Sequence, residues 1–385
     1  FLKASNIGAN DEFGGVLAIS GDYAIVGAKK ERSNSINDPS NDDVNSAGAA
    51  YIFKTSDSGE TWTLKAYLKA QYPDFIDYFG YSVAINGDYA IVGAYGESSN
   101  SITDQTINHA NGQAGYQSGA AYIFKRDSGA ETWSQTAFLK ASNIGASDWF
   151  GRSVAIDGDI AVVGAAHEDS NSINNEANND ASAAGAAYIF KRDNGAETWT
   201  QKAYLKAQYP DTNDFFGTSA AKSGDYVIIG AEQERSGDIN DQTNNDETWA
   251  GAAYIFKTSD SGETWTQQAY LKASNLYQYD KFGYSVAING DYAIIGSKDY
   301  VANYEGAAYI FKRELDSGGV ETWTQKDILK AVNADDGDYF GNSVSISGDY
   351  AIIGAWKQSS QGSGAGAAYI FKRDSGAETW TQQSY

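Results

Sequence analysis

The sequence contains no cysteine and only two histidines, His109 and His167. Without cysteine, neither a disulfide framework nor a thiolate metal site can form, and two histidines in unmatched loops do not make a zinc cluster. Basic residues are also scarce: 28 stand against 50 acidic residues, for a net charge of −22. This charge argues against nucleic acid and anionic membranes as partners, and it is compatible with bound cations or a basic partner.

Long apolar runs are missing as well. No run of 18 apolar residues occurs, so the sequence predicts no membrane insertion. Neither an initiator methionine nor a signal peptide opens the chain, so we expect a processed chain or a fragment, a monomeric domain of a larger protein. A hydrophobic content of 42% with 14% aromatic residues is enough for a packed core, which excludes wholesale disorder.

Three motifs recur six times each and organise the rest of the chain. The first contains a Phe-Gly pair, the second reads Gly-Ala-Ala-Tyr-Ile-Phe-Lys, and the third is Glu-Thr-Trp followed by Thr or Ser. Self-similarity on this scale is typical of solenoids, propellers and arrays. The Phe-Gly pairs stand at 13–14, 79–80, 150–151, 216–217, 282–283 and 340–341, the tyrosines at 51, 122, 188, 254, 309 and 369, and the tryptophans at 62, 133, 199, 265, 323 and 380.

Each repeat predicts four strands, and the second repeat shows them well. Ser82 to Ile85 and Tyr89 to Val92 are apolar runs separated by Asn86-Gly87, a pair that favours a type I′ turn. Ala120 to Lys125 is rich in β-branched and aromatic residues, which suits a packed sheet. Thr132 to Ala141 alternates polar and apolar residues, which indicates an outer strand with one wet face. No stretch has helical periodicity.

Six antiparallel four-stranded units predict an all-β, six-bladed β-propeller. Closure of the ring would align residues 1–4 with Thr379 to Tyr385, so that the N- and C-terminal segments together complete the last blade. We therefore predict one domain over residues 1–385. Its repeats are 5–70, 71–141, 142–207, 208–273, 274–331, and 332–385 together with 1–4.

The order Phe-Gly-x-Ser-Val-Ala, Val-Gly-Ala and Gly-Ala-Ala-Tyr-Ile-Phe resembles the FG-GAP repeat of integrin α-subunit propellers and their bacterial relatives, across essentially the whole chain. The resemblance implies an extracellular or cell-surface propeller used for adhesion or ligand capture, generally without catalysis. Many family members carry an Asp-x-Asp-x-Asp-Gly calcium loop between the first two strands. Here only Asn86-Gly87 or its equivalent stands there. We expect no required cofactor, and any Ca²⁺ would bind outside integrin-type loops.

Two sets of carboxylates are candidate metal ligands. An aspartate two residues before each Phe could form a ring that binds a cation, although a turn residue accepting backbone N–H groups is the favoured interpretation. The Asn-, Asp- and Ser-rich loop with Asp38, Asp42 and Asp43 offers oxygen ligands for Ca²⁺, but a solvated loop is favoured there too. The six repeated aspartates are Asp11, Asp77, Asp148, Asp214, Asp280 and Asp338.

Other repeated residues have structural interpretations. The aspartates after the hairpin glycine, such as Asp88, are expected to stabilise the turn. The lysines of Leu-Lys-Ala and Ile-Phe-Lys are expected on outer strands, where they would discourage edge pairing. Each repeated tryptophan, such as Trp133, is expected to pack between blades.

Ligand sites should break the repeat, which directs attention to the long loops between the second and third strands of the first four repeats. Non-repeated aromatic residues near these loops and their shorter counterparts could stack on a sugar or anchor a peptide. The candidates are Tyr95, Tyr116, Trp149, Trp249, Tyr304 and Trp356.

We predict a non-catalytic recognition domain that captures a protein or peptide through the loop-rich face of repeats 1–4. A carbohydrate-binding propeller is the alternative, and a purely architectural spacer is the third hypothesis. A sugar site would show an exposed aromatic side chain flanked by amide and carboxylate groups in a pocket. A protein site would show a broader and flatter patch.

Overall fold

The computed structural model describes residues 2–36, 38–106, 113, 115–238, 241–275, 277–298, 305–359, 362 and 364–384. Across this described part, the chain forms 24 strands and no helix that could cross a membrane. The strands make six antiparallel sheets of four, each in sequence order. The predicted fold class, an all-β six-bladed propeller with four antiparallel strands per blade, is confirmed.

The first of two compact units contains residues 1–169, 175–179 and 186–205, and therefore three blades. Its strands are β1 (Leu17–Ser20), β2 (Tyr23–Ala28), β3 (Ala49–Thr55), β4 (Trp62–Leu68), β5 (Ser82–Asn86), β6 (Tyr89–Ala94), β7 (Ala120–Asp127), β8 (Thr132–Leu139), β9 (Phe150–Asp157), β10 (Ile160–Ala165), β11 (Ala186–Asp193) and β12 (Thr198–Leu205). Ala4 packs with Val26 and Ala28 of the first blade.

The second unit contains residues 170–174, 180–185 and 206–385, and the other three blades. Its strands are β13 (Phe216–Ser223), β14 (Tyr226–Ala231), β15 (Ala252–Lys257), β16 (Thr266–Leu271), β17 (Phe282–Asn289), β18 (Tyr292–Ser297), β19 (Ala307–Leu315), β20 (Glu321–Leu329), β21 (Phe340–Ser347), β22 (Tyr350–Ala355), β23 (Ala367–Asp374) and β24 (Thr379–Ser384). The single domain and the joining of residues 1–4 to the last blade involve both units and stay predictions.

The hairpin between the first two strands of a blade is displaced by one residue from its predicted position. Asn86 belongs to β5 and pairs with Tyr89, so the two turn residues are Gly87 and Asp88. Gly87 has a φ of 56°, and Asp88 is not in the left-handed region. A positive φ at the first central residue alone is the requirement of a type II′ turn, so the prediction of type I′ was wrong.

The Phe-Gly motif of one repeat meets the Gly-Ala motif of the repeat before it. Gly48 and Phe79 form a parallel bridge between the first and second blades. Gly80 has a φ of 85°, and a Cβ atom there would lie 2.2 Å from the carbonyl oxygen of Ala49. Only glycine allows both this conformation and this approach. The two motifs therefore recur together because they form one joint between successive blades.

Aromatic side chains fill the space between blades. Phe79 is fully buried in a cluster with Ile25 and Ile52 of the first blade, and its ring lies edge-on to Tyr122 of its own blade at 5.2 Å between centroids. At the outer side, Tyr23 of the first blade packs against Trp133 of the second at 6.0 Å. The predicted packing of this tryptophan between blades is confirmed.

The lysines of Ile-Phe-Lys join neighbouring blades instead of guarding an outer edge. Lys54 Nζ lies 2.8 Å from Glu131 Oε2 of the next blade, and Tyr23 donates a hydrogen bond of 2.7 Å to the same oxygen. Arg126 also donates a hydrogen bond to Glu131. Its Nε donates a second hydrogen bond, of 2.9 Å, to Asp88. The repeated glutamate of Glu-Thr-Trp thus receives cations from two blades. Asp88 acts as the partner of this arginine, a role beyond the predicted stabilisation of its turn.

The lysines of Leu-Lys-Ala were also predicted wrongly, because most of them are buried. Lys69, Lys140 and Lys272 form ion pairs of 2.6–2.7 Å with glutamates that follow the Gly-Ala pair of the same blade. Burial alone would favour their neutral form, which is why the pKa of each lysine is lowered. Lys330 of the fifth blade is the contrast: it is 53% exposed and lies 3.4 Å from Glu305.

Candidate functional site

A polar cleft of about 710 Å³ opens in the first unit between the long loops of the first two blades. We call it the Tyr72 cleft, after an aromatic side chain that is 48% exposed. Its volume falls within the range of small-molecule sites in proteins. The lining residues are Asn34, Ser35, Val44, Gln71, Tyr72, Pro73, Asp74, Asp77, Glu97, Ser98, Gln105 and Thr106.

The floor of the cleft is the connection from β4 to β5. Pro73 follows Tyr72 directly and restricts the backbone on both sides of their peptide bond. The amide of Asp74 then donates to Asp77 Oδ2 at 2.7 Å, and the amide of Ile76 donates to the carbonyl oxygen of Asn45 at 3.0 Å. These bonds fix the tyrosine between the two loops.

The walls are held by short-range hydrogen bonds and one buried ion pair. Glu97 accepts a bond of 3.0 Å from the amide of Ser99 and one of 2.7 Å from Lys140 Nζ. Farther along the loop, Thr106 donates to Asp104 at 2.6 Å, and Gln135 Nε2 donates to Gln105 Oε1 at 3.3 Å. The cleft is therefore built largely before any ligand arrives.

Burial controls the charge at the base of the cleft. It raises the pKa of Asp77 well above its ordinary value, and the nearby carboxylate of Glu97 raises it further. The Asp77 carboxyl is therefore biased toward its neutral form. Amides, hydroxyls and a single more accessible carboxylate, Asp74, dominate the lining, and such groups bind polar, hydroxylated ligands.

Two predicted ligand residues, Tyr95 and Trp149, lie together in another part of the first unit. Their ring centroids are 5.4 Å apart, and Tyr95 also stacks on Tyr78 at 5.1 Å. Trp149 stacks on His167 at 3.5 Å, where burial and the Arg152 cation lower the pKa of the histidine to about 4. The rings are half-buried and pack against one another, so they form a packed cluster and not an open platform.

The other predicted aromatic residues are separate. Trp249 packs edge-on to Tyr279 at 5.3 Å beneath the ammonium group of Lys281. Trp356 is exposed and stacks on Tyr339 at 5.8 Å, with Lys357 Nζ 4.5 Å from its ring. Tyr116 is half-buried in the second blade's loop, and Tyr304 lies outside the described residues.

The six repeated aspartates hold the turn before each Phe-Gly pair. Each carboxylate accepts a hydrogen bond from the backbone amide three residues earlier, at distances of 2.7–3.1 Å. Their side chains are buried. The aspartates therefore make the hydrogen bonds expected of turn residues, which was the favoured interpretation. The residues are Asp11, Asp77, Asp148, Asp214, Asp280 and Asp338.

The candidate calcium loop is organised by its own side chains. Asp38 Oδ1 accepts hydrogen bonds from the amide and the hydroxyl of Ser40, at 3.1 and 2.6 Å. Asp42 and Asp43 are both exposed nearby. Over the described ranges, no group of three or more His, Cys, Asp or Glu side chains is placed to hold a metal ion.

Analysis of the sequence missed Tyr72, although a signal was present. Gln-Tyr-Pro-Asp occurs at 71–74 and again at 208–211, in connections that differ between the other repeats. An aromatic residue fixed by proline, beside an amide and a carboxylate, is a recognisable binding pattern.

The FG-GAP repeat family matches residues 2–53, 62–124, 133–190, 199–256, 265–311 and 323–371. The chain belongs to the FG-GAP repeat family. There are six matches, one for each blade; each match after the first begins at the fourth strand of one blade and ends in the third strand of the next. The resemblance seen in the motifs is confirmed.

Solved structures share the architecture of this FG-GAP protein at low sequence identity. A Lactobacillus plantarum protein aligns with 11% identity and a TM-score of 0.55, covering 96% of this chain and 83% of its own. A Bacteroides uniformis protein, named as a candidate 6-phosphogluconolactonase, gives the same identity and TM-score over 94% and 81%. No functionally curated protein matches the chain. These likenesses show the fold alone.

Proposed function

We propose that this FG-GAP propeller is a non-catalytic recognition domain of a surface or secreted protein, and that the Tyr72 cleft binds a saccharide. The observation that carries the proposal is an exposed tyrosine in a polar cleft, flanked by Gln71, Asn34 and Asp74. A sugar ring presents an apolar C–H face and a rim of hydroxyl groups. The tyrosine ring suits the face, and the amide and carboxylate groups suit the rim.

The arrangement supports a saccharide over a protein surface because the aromatic group lies inside a cleft. Protein interfaces bury broad areas with aromatic anchors at a desolvated centre. The lining of the Tyr72 cleft is instead mostly polar, with Val44 and Pro73 as its other apolar members.

Protein or peptide capture is the second candidate, and one observation favours it. Ile36 and Ile102 occupy matching positions on the long loops of the first two blades, and at least half of each side chain is exposed. Exposed isoleucines on ordered loops can anchor a partner protein. Such a partner would contact the loop tips and leave the cleft below them open.

The test measures binding of neutral gluco-, galacto-, manno- and xylo-oligosaccharides by calorimetry. We expect at least one to bind, with affinity falling about tenfold or more in Tyr72→Ala, because stacking and the buried area of the ring are lost. Tyr277→Ala is the matched control, since Tyr277 is exposed in the fifth blade and lies outside the cleft. Recovery of the intact saccharide after long incubation checks the absence of catalysis.

Unchanged affinity in Tyr72→Ala would refute the assignment of the cleft. If no saccharide binds and the double variant Ile36→Ser, Ile102→Ser loses a protein or peptide partner, the second candidate replaces the first. If none of these variants affects any partner of the parent protein, the remaining hypothesis is an architectural spacer.

A further inference from the structure

The second unit repeats the geometry of the Tyr72 cleft around Tyr209. This side chain is 45% exposed and, like Tyr72, precedes a proline. The amide of Asp211 donates to Asp214 Oδ2 at 2.9 Å, as Asp74 does to Asp77. The next amide contact is repeated too, since Asn213 donates to the carbonyl oxygen of Ser182 at 2.8 Å. The backbone around Tyr209 is thus held by the same bonds as the floor of the Tyr72 cleft.

The opposite wall is repeated as well. Thr243 donates to Asp241 at 2.6 Å, which reproduces the Thr106–Asp104 bond. The buried pair of Lys272 with Glu234, at 2.7 Å, reproduces that of Lys140 with Glu97. We call this region the Tyr209 cleft.

At the twelve positions that line the Tyr72 cleft, the corresponding residues of the second unit differ at two. Ala181 stands in place of Val44, which makes that wall smaller. Arg235 stands in place of Ser98, which adds a guanidinium group with five N–H donors. The sequences are otherwise the same at these positions, so the arginine is the main chemical difference.

Three polar atoms in the Tyr209 cleft are buried without a hydrogen-bond partner in the described part of the chain: Arg235 Nε, Gln242 Oε1 and Asp214 Oδ1. Asp214 is 1% exposed. In the Tyr72 cleft, by contrast, the corresponding glutamine oxygen of Gln105 accepts a bond from Gln135. Buried polar groups are costly when unpaired, so these donors and acceptors are available to a polar ligand.

We propose that the Tyr209 cleft is a second saccharide site and that it selects an acidic sugar, whose carboxylate pairs with Arg235. Arginine is suited to this role because its planar fork binds a carboxylate through two parallel hydrogen bonds. The proposal rests on the proposed function of the Tyr72 cleft and adds a second site with a different ligand class.

The acidic side chains around Arg235 do not prevent the binding of an anionic ligand, because each of them is hydrogen-bonded, ion-paired or biased toward its neutral form. Asp211 Oδ2 already accepts a bond of 2.9 Å from Asn245, and Glu234 is neutralised by Lys272. Burial raises the pKa of Asp214 well above its ordinary value, which favours the neutral carboxyl. Arg235 makes no ion pair among the described residues and is therefore the cation that a ligand carboxylate would meet.

The experiment titrates the intact chain with trimers of glucuronate, galacturonate and mannuronate and with their methyl esters, which lack the charge. We expect at least one acidic trimer to bind and to be weakened about 10- to 100-fold by Arg235→Ser, the range for a hydrogen bond between charged groups. Its methyl ester should bind equally weakly to both proteins. Tyr209→Ala should weaken the acidic trimer about tenfold or more, and Tyr72→Ala should leave it unchanged.

Thermal melts of the variants establish that they fold. Arg235→Lys should restore part of the acid preference, since it keeps the charge and loses the fork. If acidic trimers bind and only Tyr72→Ala removes them, or if a neutral saccharide binds once per chain and no acidic one binds, the second site is refuted while the proposed function stands. If no saccharide of either kind binds, the proposed function itself fails.

Discussion

Replacing Lys140 by methionine should destabilise the protein far more than the same change at Lys330. Lys140 Nζ lies 2.7 Å from Glu97 Oε2 and 2.7 Å from Ser118 Oγ, and both charged side chains are almost entirely buried. Methionine has nearly the same length and shape but leaves the Glu97 carboxylate without its counter-ion. Breaking a buried pair in this way typically costs ~3–5 kcal/mol of unfolding free energy.

The Lys330–Glu305 pair is the control, because it shows how much an exposed ion pair contributes to the free energy of unfolding. Lys330 and Glu305 are 53% and 30% exposed and lie 3.4 Å apart. Exposed pairs contribute at most ~1 kcal/mol, so Lys330→Met should be close to neutral. For a chain of 385 residues that unfolds cooperatively, ~3–5 kcal/mol corresponds to a fall of ~4–6 °C in melting temperature.

Urea unfolding followed by tyrosine and tryptophan fluorescence provides the comparison, with hydrogen exchange to locate any unfolding of a single unit. Lys140→Met with Glu97→Gln should recover part of the loss, because the unpaired charge is removed. Equal effects of Lys140→Met and Lys330→Met would refute the argument that burial sets the strength of these pairs.

Two further predictions concern carboxylates. Hydrogen bonds from Lys54 and Tyr23 lower the pKa of Glu131 from 4.5 to about 2, so this group stabilises the fold above 4.5 and the effect is lost as pH falls to about 2. The stability difference between wild type and Glu131→Gln, measured by urea unfolding, should therefore be constant from pH 7 to 5 and vanish toward pH 2. A difference that persists at pH 2 would count against the inter-blade pair. Asp77→Asn should melt no lower than wild type at pH 7, because a buried carboxyl with a raised pKa gains from neutralisation, and chelator-stripped protein should melt at the same temperature with and without millimolar Ca²⁺. A rise with Ca²⁺ that Asp77→Asn abolishes would instead establish a metal site.

The fold was predictable because the same motifs occur in all six repeats, so each repeat supports the strand assignment of the others. Six copies of Phe-Gly and of Gly-Ala-Ala-Tyr-Ile-Phe fixed the number of strands and blades, and the alternation of Thr132 to Ala141 placed the outer strand correctly. The turn type failed because the pairing of Asn86 with Tyr89 moves the glycine to the first turn position. Turn register depends on which residues pair across the hairpin, and the dipeptide alone does not determine it.

The site was less predictable because burial decides what a repeated charge does. A lysine after leucine on an outer strand has the same local sequence in the fifth blade as in the second, yet Lys330 is exposed and Lys140 is buried. The buried Lys140 pairs with a glutamate that lies 43 residues away in sequence. Contacts at such separation cannot be read from periodicity. The same holds for the Tyr72 cleft, whose lining comes from three separate segments.

The buried ion pairs are connected to the clefts through the long loops. The glutamates of three such pairs, Glu31, Glu97 and Glu234, also accept the backbone amide two residues later, at the base of a long loop. In the last blade, where the loop is short, Gln358 stands at the corresponding position and carries no charge. A desolvated ion pair contributes little net stability, but it fixes the geometry of the groups around it. Here it fixes the start of each long loop, and Glu97 itself forms part of the Tyr72 cleft. A loop whose base is already ordered loses less entropy when a ligand binds, so these ion pairs contribute to recognition through preorganisation of the cleft.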